Sequence, residues 1–345
     1  MKKVLYLVLA LTLLFTLSCQ GVERVRVHEP TGRIVIYTSM YGYVVENVWR
    51  DLQIEFPDYA IEFVYGGTGV IQERIRIEQA GGRLGADILM VAEPAYSLEL
   101  KEKGMLHPFR SRHASNLAFD FDPDGYWYPV RVSNMVLAYN PQRHNRNMIP
   151  NSFFDFANDA SARREISMRN PLVSGTTLAT IAALRDRHGN AFFDALGNQQ
   201  VIIDYGSEAG LRRLETGECR VVMVLEESIL RAREEDNSIL QIIYPTDGVV
   251  VIPSNIMIIN DRWNANRNTQ TAEAIADWFL SANGQNAIVD AWMHSVRTDF
   301  RRRPQGSLPI NQILDNSMPV NWENVFQQRQ EILRAFETSI AARRE

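Results

Sequence analysis

Residues 126–140 (YWYPVRVSNMVLAYN) and 244–260 (YPTDGVVVIPSNIMIIN) are long extended stretches, rich in aromatic and β-branched residues and broken by prolines that no helix interior tolerates. Between them runs a segment with a strand-and-helix rhythm of its own. A domain inserted between two long strands is joined to the rest of the chain by both strands together. That predicts two lobes linked by two crossing strands, a hinge whose ordinary motion is closure around something held between the lobes.

Ahead of the first stretch the pattern alternates. Ile34-Val35-Ile36-Tyr37 is an apolar run suited to a buried strand, and Val44, Val48, Trp49, Leu52 and Phe56 then recur at helical spacing until Pro57. A second strand over 61–65 stops at Gly66-Gly67-Thr68-Gly69, and Ile71, Ile75 and Ile77 mark a helix that runs to Gly81-Gly82. A third strand over 86–91 closes at Glu93-Pro94, with a helix over 96–103 behind it. The inserted segment reads as helix 153–157, strand 166–168, helix 176–188, strand 201–203, helix 208–216 and strand 221–225, and helices near 271–282 and 285–294 follow the second stretch. The fold class is therefore α/β, with parallel strands joined by right-handed crossovers.

Such sheets bind ligands outside the carboxyl ends of their strands. Thr38-Ser39, the Gly66–Gly69 loop and Glu93 are delivered to that edge in one lobe. In the other, Ser174-Gly175-Thr176-Thr177 opens an amphipathic helix; its first N–H groups lack intrahelical partners, and with the helix dipole they suit a phosphate or carboxylate. Gly67, Thr68 and Gly69 let backbone donors approach closely, but no P-loop lysine is present and Gln72 stands where a third fingerprint glycine would be. Glu93, Glu226 and Glu227 are candidate acceptors for ligand hydroxyls or an amine, and Arg131 and Ser133 on the first crossing strand are placed to reach the ligand. Tyr41, Tyr43, Tyr126, Trp127 and Tyr128 are candidates for stacking, whereas Asp247 reads as a turn residue. The six histidines have no metal-ligand spacing and Ser174 lacks a G-x-S-x-G elbow, so no catalytic residue, metal or cofactor is expected and the chain reads as a non-enzyme.

Lys2 and Lys3, the apolar run over 4–15 and Leu17-Ser18-Cys19 have the layout of a signal peptide ending in a bacterial lipobox. The expectation is a signal peptide over 1–18, lipid on Cys19, and a polar tether over 19–32. Removing the signal takes the formal charge from −5 to −7, which argues against nucleic acid as partner. Cys19 and Cys219 are the two cysteines, so a lipidated Cys19 leaves Cys219 unpaired, a small buried residue.

The chain resembles the bacterial periplasmic solute-binding proteins of type II fold, in the branch that holds ferric-iron, sugar-phosphate, phosphonate, thiamine and polyamine receptors. The resemblance rests on Val35-Ile36-Tyr37-Thr38-Ser39, Ala86-Asp87-Ile88-Leu89-Met90, Val136-Leu137-Ala138-Tyr139-Asn140, Asn170-Pro171 with Ser174-Gly175-Thr176, Gly217-Glu218, Tyr244-Pro245-Thr246-Asp247-Gly248 and Asn283-Gly284-Gln285. It implies a two-lobed, periplasmic-binding-protein-like α/β fold with two crossing hinge strands, with lobe 1 over 33–132 plus 255–345 and lobe 2 over 133–254. It also implies a monomer, periplasmic or on the cell surface, that captures a small-molecule ligand for an ABC permease and is held at a membrane by Cys19. The iron-binding members use two adjacent tyrosines after the strand that here is 221–225; Glu226-Glu227-Ser228 follows that strand, and no adjacent tyrosine pair occurs. A phosphorylated organic anion is thus the expected ligand, ahead of ferric iron, and a signalling receptor using the same clamp is the rival role.

Overall fold

The computed structural model describes residues 30–342, so the expected signal peptide over 1–18, the expected lipid site Cys19 and nearly all of the expected tether lie outside the described residues. The first lobe opens with β1 (Gly32–Thr38), α1 (Gly42–Glu55), β2 (Tyr59–Tyr65), α2 (Thr68–Ala80), β3 (Ile88–Val91), α3 (Pro94–Glu102) and the short β4 (Leu106–His107). β1 lies between β2 and β3, parallel to both, as the alternation of strand and helix requires. Along α1, Val44, Val48 and Leu52 face the sheet and are buried. The helix ends at Phe56 because Pro57 cannot continue it.

β5 (Tyr128–Tyr139) is buried along its whole length. The inserted segment then supplies α4 (Phe153–Asn158), β6 (Ile166–Arg169), α5 (Gly175–His188), α6 (Ala191–Asn198), β7 (Ile202–Asp204), α7 (Ser207–Thr216), β8 (Val221–Leu225), α8 (Glu226–Glu235) and β9 (Gln241–Ile243). The chain returns through β10 (Val249–Ile259) and ends with α9 (Thr269–Leu280), α10 (Ala282–Asp290), α11 (Ile310–Asp315), β11 (Ser317–Met318) and α12 (Trp322–Ala341). The helices α6, α8, α11 and α12 are absent from the sequence reading. α8 begins directly at the end of β8 with two glutamates in its first turn, where acidic side chains complement the helix dipole.

One sheet runs through both lobes in the order β2-β1-β3-β10-β5-β8-β6-β7. Within each lobe the outer strands pair in parallel, and the two crossing strands meet antiparallel at the centre, from Val250 opposite Met135 to Ile256 opposite Tyr128. Their register shifts between Ser254 and Asn255, a bulge in the middle of the hinge. Lobe 1 encloses apolar clusters on both sheet faces, around Ile36, Val48 and Phe279 on one side and Val35, Leu89 and Met257 on the other. Lobe 2 is filled around Phe153, Leu178 and Phe193, and around Val136, Leu214 and Cys219 on its other face.

The division drawn from the sequence places α12 with lobe 1, but its apolar stripe of Val325, Ile332, Leu333, Phe336 and Ile340 belongs to the lobe 2 core, with Phe336 edge-on to Phe193. The same helix also packs on α3 of lobe 1, so it spans the two. No helix among the described residues is long and apolar enough to cross a membrane.

Candidate ligand site

The loops at the carboxyl ends of β1, β2 and β3 meet those of β6 and β8 across a narrow cleft lined by Ser39, Tyr41, Gly67, Thr68, Arg131, Arg169, Ser174, Gly175, Thr176 and Glu227. The space enclosed there is about 20 Å3, room for a water or two, so a larger group enters only as the lobes part. Seven of the thirteen expected ligand residues line it: Ser39, Gly67, Thr68, Ser174, Gly175, Thr176 and Glu227.

Each lobe aims the start of a helix at this space. Ser174 caps α5: its Oγ accepts from Thr177 N at 3.2 Å and from Thr177 Oγ1 at 2.9 Å, and it lies 3.1 Å from Thr176 Oγ1. Thr177 thus supports the cap. Opposite it, Gly67 stands at the N-cap of α2, with no side chain to bond the exposed N–H groups. Ser39 Oγ accepts from Ala92 N at 2.9 Å, which ties the β1 and β3 loops together. Thr38 plays a similar part from within the loop, donating to Met90 O and accepting from Met40 N, and does not line the cleft.

The charge of the site comes from two arginines. Arg131, on β5, is 3 % exposed and reaches Ser133 Oγ at 3.0 Å, Met293 Sδ at 3.1 Å and Ser39 Oγ at 3.5 Å. Its Nε is buried without a hydrogen-bond partner among the described residues. Burial disfavours its charge, which lowers its pKa, and Glu227 opposes that in part. Arg169, the last residue of β6, donates to Tyr41 OH at 3.0 Å, lies over the Tyr41 ring and also has a buried Nε with no partner among the described residues. A guanidinium carries five donors in a planar fork that matches an oxyanion, and these two have donors to spare. Sequence reasoning noted Arg131 but missed Arg169. The signal was available, because a basic residue closing a strand just ahead of Asn170-Pro171 and the α5 cap sits at the carboxyl edge where ligands bind.

The three glutamates separate. Glu227 is 2 % exposed and faces the cleft; its Oε1 accepts from Ser133 Oγ at 2.9 Å, and burial raises its pKa against the pull of Arg131. Glu226 turns away into the hinge, where it accepts from Asn134 Nδ2 at 2.7 Å and from Tyr244 OH and lies 2.9 Å from His294 Nε2. Burial alone would raise its pKa, but the hydrogen bond and charge of His294 bring it below the ordinary value. Glu93 is not in the cleft either. It is buried and ion-paired with Arg329 of α12, with Gln72 Nε2 donating to it at 3.0 Å.

The seam beside the site is built from backbone. Gly69 N donates to Val173 O of the other lobe at 3.4 Å. A methyl group at Gly67 would overlap the Val173 carbonyl oxygen, and one at Gly69 that of Leu172. A methyl at Gly175 would come to 2.8 Å from Thr68 Oγ1 and 2.9 Å from Ala92 O. These glycines permit the lobes to touch, which is a different use from the ligand contact expected of Gly69.

Of the candidate stacking residues, Tyr41 lines the cleft and stacks at 5.3 Å on Tyr43, which does not line it; Arg169 lies over Tyr41 and Arg231 over Tyr43 at 4.6 Å. Tyr126 and Trp127 lie under Lys101 and Tyr128 is core, all outside the cleft lining. Asp247 is a turn residue whose carboxylate accepts from Phe153 N and Phe154 N at the start of α4. Cys219 is fully buried, and burial pushes its thiol up to about 12. Among the described residues no three His, Cys, Asp or Glu side chains come together as a metal site.

Two α/β lobes, a pair of crossing strands and a polar cleft between the strand ends define a type II periplasmic binding protein. The chain belongs to the bacterial extracellular solute-binding proteins, whose family model matches residues 85–305. AfuA from Actinobacillus pleuropneumoniae, solved with fructose-6-phosphate, is 19% identical and superposes with a TM-score of 0.78 over 90% of this chain and 99% of its own. Iron-bound HitA from Pseudomonas aeruginosa, also 19% identical, gives 0.76 over 89% and 99%. A substrate-binding protein of an ABC transporter from Agrobacterium tumefaciens gives 0.79 at 16% identity, over 90% and 94%. Likeness at such identities speaks for the fold. No curated protein matches the sequence.

Proposed function

We propose that this protein captures a small phosphorylated organic anion in its interlobe cleft and delivers it to an ABC permease, while tethered to a membrane by lipid on Cys19. The lobes that close are 33–132 with the chain from 255 to α11, and 133–254 joined by α12. The observation that carries the ligand class is Arg131, a buried guanidinium with an unpartnered Nε at the cleft. A buried charge of this kind is strongly unfavourable unless an anion completes its shell. Arg169, the α5 start at Ser174 and the hydroxyls of Ser39, Thr68 and Thr176 line the same space and add donors. A phosphoryl group, with three acceptor oxygens, uses such a set better than a carboxylate does.

The test is a thermal-shift panel on protein freed of ligand by unfolding and refolding, with sugar phosphates, phosphonates, inorganic phosphate, thiamine, polyamines and ferric iron with an accompanying anion. A ligand at a hundred times its Kd stabilises the fold by about 2.7 kcal/mol. A shift with phosphorylated compounds is the expected result. A shift with ferric iron alone would overturn the ligand class and place carboxylates where related iron receptors use tyrosines.

A further inference from the structure

A second cavity stands beside the hinge, and its walls differ in chemistry from those of the cleft. Along one edge β10 pairs with β5 from Val250 to Ile256. Along the other it meets β11 at Val249 and Val250 and β3 from Asn255 to Ile258, with no strand opposite residues 251–254. That gap opens on a space of about 210 Å3, against about 20 Å3 in the cleft, bordered by Pro253, Asn255, the first turns of α3 and Trp322 at the start of α12. Four rings line it, Phe119 and Phe121 from the loop ahead of β5, Trp127 and Trp322. Asp120 is the charged residue of the lining, exposed and with no hydrogen bond or ion pair among the described residues. The backbone adds an acceptor. Val249 N donates to Asn316 O and Ile259 N to Asp87 O on the outer edge, so by strand alternation Pro253 turns its carbonyl to the gap, with no N–H of its own. Asn255 is already engaged, donating from Nδ2 to Ser97 Oγ at 2.9 Å. Lys101 lies over the Trp127 ring at 5.6 Å, but Asp122 and Asp124 hold it at 2.6 and 3.1 Å, and Arg110 reaches the Pro123 carbonyl; Asp120 is left over.

We propose that this hinge-side pocket is a second ligand site, which takes an organic ammonium ion with an apolar body. Aromatic rings bury the body and attract the charge through their negative faces, and the unpaired carboxylate and the carbonyl accept its N–H groups. A neutral molecule of the same shape gains the rings alone, and an anion meets Asp120. The site is separate from the anion cleft, and neither reading depends on the other.

Benzylammonium and benzyl alcohol are nearly equal in shape and differ in charge at pH 7, so titrating each into the protein reads the site directly. The indole N–H signals of Trp127 and Trp322 in nitrogen–proton spectra report where they bind. The ammonium ion is expected to bind in the millimolar range, about 10-fold more tightly than the alcohol, and to shift both signals. In Asp120→Asn, a change at an exposed side chain, the preference is expected to fall to about 3-fold through a loss for the ammonium ion. Trp322→Leu keeps an apolar wall without a π face, and should weaken the ammonium ion by about 3-fold while the alcohol changes little. Binding of neither probe, equal binding of both, or an unchanged preference in Asp120→Asn or in Trp322→Leu would each overturn the site. Should Trp322→Leu fail to fold, Asp120→Asn still decides.

Discussion

Arg131, Ser133 and Glu227 form a short relay in which both charges are almost fully buried and no direct pairing is made. Such an arrangement serves recognition at the expense of stability. Replacing both charges, Arg131→Met with Glu227→Gln, is expected to abolish the phosphate-induced thermal shift while leaving the ligand-free protein as stable as before or more so, by about 1–4 kcal/mol. Arg131→Met alone leaves a buried carboxylate without its cation and should lower the melting temperature; both effects are read by calorimetric melts. At Ser174, the hydroxyl that caps α5 is worth on the order of 1 kcal/mol, so Ser174→Ala tests the cap in urea unfolding. The capping serine and the facing glycine loop were legible in the sequence because caps and turns are local. Glu226 and Glu227 were not separable there: adjacent residues on a helix point about 100° apart, and which one enters the cleft depends on how α8 docks against β5.

The parallel βαβ units were legible from the alternation of apolar runs, and the two crossing strands from their length and prolines. Helices such as α12 were not, because the partner faces that give its stripe meaning lie far away on α5 and α6. The seam is the element-scale feature that no local pattern announces. Gly67, Gly69 and Gly175 read as turn and cap glycines, yet each stands where a methyl group would strike the opposite lobe. Gly67→Ala, Gly69→Ala and Gly175→Ala are therefore expected to hold the lobes apart. Small-angle scattering at saturating phosphate should give a larger radius of gyration than for the unaltered protein. Unfolding by denaturant should change little, since the seam lies outside the lobe cores. A radius equal to that of the unaltered protein would mean that the loops yield.

Across the whole molecule, α12 joins the lobes a second time through Arg329 and the buried Glu93. Burial raises the Glu93 pKa from 4.5 to about 6 against the opposing charge of Arg329. A carboxyl whose folded pKa exceeds its unfolded value stabilises the fold fully below the unfolded value and loses that contribution as pH rises through the folded one. Between pH 4.5 and 7 this amounts to roughly 2 kcal/mol, and Glu93→Gln should remove that slope from melts across the range. Arg329→Met, which strands the carboxylate, should destabilise at pH 7 by on the order of 3 kcal/mol. Equal losses from the two variants would show that the pair, and not the lone charge, sets the energetics.

The buried guanidinium of Arg131 has one more consequence, for the honesty of the signal that the shape conveys. A permease that reads closure from outside sees only whether the lobes have met. Where the lobes meet, Arg131 is sealed from water with Ser133, Ser39 and, through Ser133, Glu227 about it, and its Nε still lacks a partner among the described residues, so an oxyanion that fills that place favours the closed form. On the proposed reading, the residue that recognises the solute also makes closure report its presence.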